Sequence, residues 1–113
     1  GLYHNNPHES HIASNIDSCE VIFKKDTHYA AGHAKSSRII FESDAGDNCA
    51  TKIEDCDVFT YGSIAFDFGA LAKNSRFYSP HIKNLEHIAK KVNFDCKFYL
   101  LDDNDNFKEV NLK

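Results

Sequence analysis

CEVIFKK, residues 19–25, is the stretch on which the fold turns. Cys19, Val21 and Phe23 fall on one parity and Glu20 and Lys24 on the other, the period-two alternation of a half-buried strand. SRIIFES at 37–43 repeats the pattern, with Ile39 and Phe41 set against Arg38 and Glu42. The composition agrees. Nine Phe and five Tyr with no Trp and no Met suit a pleated, half-covered surface and lean the fold towards sheet.

Working outward, DVFTYGSIAFDFG at 57–69 is the longest apolar run. Val58, Ile64, Phe66 and Phe68 share one parity and Phe59, Tyr61 and Ala65 the other, which places a strand in mid-sheet with Gly62 as a bulge or break. At 79–93, Ser79 reads as an N-cap and Pro80 as the first helical residue. Ile82, Leu85, Ile88, Ala89 and Val92 then form a helical stripe. CKFYLLDDNDNFKEVNL at 96–112 reads as a hairpin around its acidic turn. The segments 26–35 and 70–78 read as connections, and 48–56 as a short helix capped by Asn48. No internal repeat stands out.

The expected architecture is α+β. An antiparallel sheet of about four to five strands carries one amphipathic helix, at about residues 80–92, on one face. A polar arm, residues 1–18, precedes a single domain, 19–113.

Four cysteines, Cys19, Cys49, Cys56 and Cys96, never form a Cys-x-x-Cys pair. Even number and wide spacing point to two disulfides and an oxidising compartment, and lack the short-spaced pairs of a zinc site. If 48–56 is helical, Cys49 and Cys56 lie about 10 Å apart along its axis, too far to bridge. The expected pairings are then 19–49 with 56–96, or 19–56 with 49–96. No signal peptide is visible, so a secreted protein would be its mature form.

The net charge is −4, and Lys and Arg are scattered, which disfavours nucleic acid as a partner. No apolar run is long enough to span a bilayer as a helix. His4, His8 and His11 cluster near the start, but the spacing of PHESH departs from the zinc-peptidase signature, and a solvated arm is expected. His28 and His33 with Arg38 and Glu42 are the candidates for acid–base catalysis if the protein is an enzyme. The acidic turn 102–106 lacks the Gly and final Glu of a calcium loop. No metal or cofactor is expected. Arg76, Phe77 and Tyr78, with Tyr61, are the candidate binding residues, being Arg and aromatics of the kind that anchor interfaces.

Asp55–Cys56 after an apolar residue, and Cys96-Lys97-Phe98, resemble elements of the small cysteine-stabilised effectors secreted by plant-pathogenic fungi, including necrosis-inducing and killer-toxin-like members. The resemblance implies a compact disulfide-bonded domain and carries over no functional residue. The expected function is a secreted, non-catalytic virulence or avirulence effector that recognises a host protein. The alternatives are a periplasmic inhibitor or immunity protein masking a basic toxin or enzyme, and a small secreted ribonuclease-like toxin. The oligomeric state is left open.

Overall fold

The chain winds as a parallel β-solenoid. A computed structural model describes residues 2–4 and 12–112. Its strands are β1 (Leu2–His4), β2 (Glu20–Phe23), β3 (Arg38–Phe41), β4 (Asp57–Thr60), β5 (Arg76–Ser79), β6 (Lys97–Leu101) and β7 (Phe107–Val110), with one helix, α1 (Ile82–Ala89), between β5 and β6. They form one sheet in sequence order, β1 to β6 parallel and β7 antiparallel to β6. Val21, Ile39, Val58, Phe77 and Phe98 are stacked partners, 18, 19, 19 and 21 residues apart. The segments 24–37, 42–56 and 61–75 each make a full circuit where a hairpin would need only a few residues.

Two further columns of single parallel bridges run up the coil, through Thr27, Ala45 and Ile64 and through Asp17, Lys35, Glu54 and Lys73. The corners between them are left-handed. Ala13, Ala31, Ala50 and Gly69 form one column of positive φ; Asn15, His33, Lys52 and Leu71 a second; Ser18, Ser36, Asp55 and Asn74 a third. That conformation costs an L-residue about 1–2 kcal/mol. It persists because each corner amide donates to the adjoining coil: Ala31 N–H to the Ile12 carbonyl, Ala50 N–H to Ala30, and Gly69 N–H to Cys49.

The core is one side chain thick, so large groups enter from alternate sides. Phe23, Phe41 and Thr60 are successive partners in the sheet, and Ala30, Cys49 and Phe68 hold equivalent corner positions in the same three circuits, so the small Thr60 shares its circuit with the large Phe68. Phe23 stacks on Phe41 at 4.9 Å, and Phe68 meets Phe41 edge-on at 5.2 Å. Each fully buried Phe contributes about 1.5–3 kcal/mol.

The helix takes the place of a corner in the fourth circuit. Leu85, Ile88 and Ala89 are buried, while Ile82 is partly exposed. A helix cannot extend the backbone ladder, so its side chains serve the carbonyls beneath: His81 Nε2 contacts the Tyr61 carbonyl at 3.2 Å, and Asn84 Nδ2 donates to Gly62 at 2.9 Å. It begins later and ends earlier than expected. Ser79 closes β5, where its hydroxyl accepts the His81 N–H, and the N-cap is His81.

These findings correct the sequence reading. The sheet is parallel apart from its last strand, the helix belongs to a circuit of the coil, and there are no disulfides. All four cysteines are free. Cys19, Ser37, Cys56, Ser75 and Cys96 occupy the same place, immediately before successive strands. Parallel strands lie about 4.8 Å apart, so Cys19 and Cys56, and likewise Cys56 and Cys96, are separated by about 9.6 Å. A bridge needs Cα atoms within about 7 Å. Cys49 lies in a different column, and 48–56 is a corner, not a helix.

The column makes one repeated contact instead. Cys19 Sγ, Ser37 Oγ, Cys56 Sγ and Ser75 Oγ each donate to the carbonyl two residues back, at 3.2, 2.8, 3.4 and 2.9 Å. Ser37 and Ser75 also accept the amides of Cys19 and Cys56, both at 3.1 Å. Burial raises the Cys56 thiol above its ordinary pKa and pushes Cys49 up to about 11, as expected of inert packing groups. The expectation of a disulfide-bonded secreted effector loses the observation on which it rested.

Candidate binding face

Residues pointing away from the core on β2 to β6 form two columns. The first residue of each strand gives Glu20, Arg38, Asp57, Arg76 and Lys97; the third gives Ile22, Ile40, Phe59, Tyr78 and Tyr99. The second column is apolar and half-buried throughout. Parallel in-register pairing forces the like-on-like stacking. Phe59 and Tyr78 lie 4.2 Å apart and 8° from coplanar, Tyr78 and Tyr99 4.7 Å apart and 15° from coplanar. Phe107 of β7 closes on Phe59 and Tyr78 edge-on, at 5.7 and 5.4 Å.

The charged column alternates in sign over most of its length and braces the aromatic one. The Arg76 guanidinium donates to Asp57 at 2.8 Å and to Asp55 at 3.0 Å, and the Tyr78 hydroxyl donates to Asp57 at 3.0 Å. Arg38 lies over the Phe59 ring at 4.9 Å and reaches Glu20 at 3.9 Å. Burial works against ionising Asp57, but donation from Arg76 and Tyr78 outweighs it and holds the carboxyl below its ordinary value. Burial, and then donation to Asp57, push the Tyr78 phenol up to about 12. The Arg76 guanidinium is raised by its bond to Asp57. The network is fixed and charged, with no group poised near neutrality.

Arg76 and Tyr78 stand on this face, and Tyr61 is exposed just beyond β4. Phe77 is fully buried, between Val58 and Phe98 in the core, and takes no part in any surface. Ile22 and Ile40 join Arg76 and Tyr78 only through register; the signal for the column is the shared third position of Ile22, Ile40, Phe59, Tyr78 and Tyr99 in successive strands.

The candidates for catalysis do not assemble. His28 and Arg38 line separate clefts, and His33 and Glu42 line neither of these. His28 Nδ1 accepts the Asp47 amide at 3.1 Å, and His33 holds a left-handed corner whose amide donates to Thr51. His4 ends β1, while His8 and His11 lie outside the described residues. Among the described residues no cluster of His, Cys, Asp or Glu has metal-binding geometry, and no helix is long and apolar enough to cross a membrane. In the 102–106 turn, Asp102 accepts the amides of Asn104 and Asn106 at 2.8 and 3.0 Å, closing the hairpin on itself.

Comparison with protein-family models, curated proteins and solved structures finds no match to this chain.

Proposed function

We propose that this protein is a non-catalytic recognition module that binds a protein partner across the outward face of its parallel sheet. The observation that carries the reading is the half-exposed column Ile22, Ile40, Phe59, Tyr78 and Tyr99, fixed by stacking and by the Arg76–Asp57–Tyr78 network. Rigid aromatics lose little entropy on binding and serve as anchors. Rings stacked on one another offer edges rather than free faces, which suits polypeptide better than a base or sugar that must stack. Five strands of four residues span about 19 by 13 Å, roughly 250 Å², against about 800 Å² per partner in a standard interface. A short segment of the partner therefore fits the face better than a whole globular surface.

Three cations, Arg38, Arg76 and Lys97, balance Glu20, Asp55 and Asp57 here, which supports this reading over an acidic mask for a basic toxin. Photo-crosslinking residues placed at Ile40 and Tyr99, with a control at the exposed corner residue Asp47, test the proposal. Expected is capture of one protein from the first two positions only. Purified, that protein binds about tenfold more weakly to Tyr99→Ala, with less than about threefold change between low and high salt. Equal capture from Asp47, or a hydrolytic activity abolished by His28→Ala or His33→Ala, overturns it.

A further inference from the structure

Away from the sheet face, where the third circuit meets the segment after α1, a cavity of about 580 Å³ opens beside Lys52, Leu71, Lys73, Lys91 and Val92. That is within the range of small-ligand sites, about 300–1,000 Å³. Three lysines line it against one acidic residue, Glu54, in a chain whose net charge is −4. Neither Lys52 nor Lys73 forms an ion pair among the described residues. Lys91 lies over the Phe66 ring at 3.8 Å and 2.6 Å from His87 Nε2. The nearby Asp67 carboxylate accepts the Asn48 amide at 2.9 Å.

Leu71 marks the site. It sits in the left-handed corner column at φ 63°, where the other circuits have Asn15, His33 and Lys52. Its side chain is 62% exposed, so the fold bears the strain of a bulky residue there without gaining its burial. With Val92 it gives the cavity an apolar wall beside the lysines.

From this charge and shape we infer that the cavity binds a small organic anion, an acidic head held by Lys52 and Lys73 on an apolar body that covers Leu71 and Val92. Anilinonaphthalene sulfonate, an anion on an apolar ring system, is a direct probe, with octanoate as competitor and octanol as the neutral control. Expected are one saturable site on the native full-length chain, displacement by octanoate, and none by octanol at equal concentration. The double variant Lys52→Gln with Lys73→Gln weakens the probe about tenfold.

Leu71→Asn separates binding from folding. Asn tolerates the left-handed corner, so this variant raises the melting temperature while weakening the probe about fivefold. Displacement by octanol as effective as by octanoate, or probe affinity unchanged in either variant, overturns the inference. So does a lower melting temperature for Leu71→Asn, which would make Leu71 a packing residue.

Discussion

Cys56→Ser should leave this protein about as stable as it is now. Cys56 is fully buried, yet the groups above and below it in the column are the hydroxyls of Ser37 and Ser75. Both serines make the contact that Cys56 makes, to the carbonyl two residues back, and at shorter range: 2.8 and 2.9 Å against 3.4 Å. Exchanging the thiol for a hydroxyl strengthens that bond by about 0.5–1 kcal/mol and loses a similar amount of apolar transfer energy. The expected change is within about 1 kcal/mol.

Cys49→Ser differs. Its column neighbours are Ala30 and Phe68, and its carbonyl contacts among the described residues are long, at 3.6 and 3.8 Å. A hydroxyl there is poorly satisfied and costs about 1–3 kcal/mol. Urea unfolding of wild type and both variants, with and without reductant, reads these values directly, with unchanged slopes confirming the same transition. A loss above about 3 kcal/mol in Cys56→Ser is the scale of a lost disulfide and would refute the ladder. Weakening of the wild type by reductant would do the same.

Thr60→Val should stabilise the fold by about 1–2 kcal/mol, because the Thr60 hydroxyl is fully buried without a hydrogen-bond partner among the described residues and valine matches its shape; thermal unfolding reads the gain. Gly69→Ala should cost about 1–2 kcal/mol by the same method. Ala31 and Ala50 hold the same left-handed corner, but a Cβ at Gly69 would sit 3.2 Å from Phe77 and 3.3 Å from Ile88, against the helix. The Asp57 carboxyl lies below its ordinary value of 3.8 in the folded state, so its stabilisation is complete above that pH and is lost as pH falls through the folded value. Melting temperature should therefore hold from pH 7 to about 5 and drop below about 4, less steeply in Asp57→Asn.

Local signals in the sequence were readable because short-range physics sets them. The alternation in 19–25 and 37–43 marks β2 and β3, and the turn at 102–106 joins β6 and β7 as a hairpin. The repeat was hidden because what recurs is backbone conformation. Ala, Asn, His, Lys, Leu, Ser and Asp all serve at the left-handed corners. Core volume hides it further, moving from Phe23 and Phe41 to Phe68 across the coil, so that no column keeps one residue type.

Of the two readings of Gly62, bulge or break, the break holds: β4 ends at Thr60 and Gly62 lies at the corner beyond it. A Cβ there would come within 2.6 Å of the Ser43 backbone, so only glycine allows the circuits to stack that closely. The cysteines misled for a related reason. The spacing of Cys19, Cys56 and Cys96 records two circuits at each step, and the serines between them, Ser37 and Ser75, were the clue. On the binding face, Arg76 and Tyr78 stood out by residue type, whereas Ile22 and Ile40 have meaning only in register.

Interstrand NOEs in uniformly labelled protein test the parallel stacking most directly. The solenoid predicts contacts linking Val21 to Ile39, Ile39 to Val58, and Phe77 to Phe98, with Phe98 also opposite Val110 across the one antiparallel pair. Antiparallel contacts between β2 and β3, running Glu20 against Phe41 and Phe23 against Arg38, would contradict it.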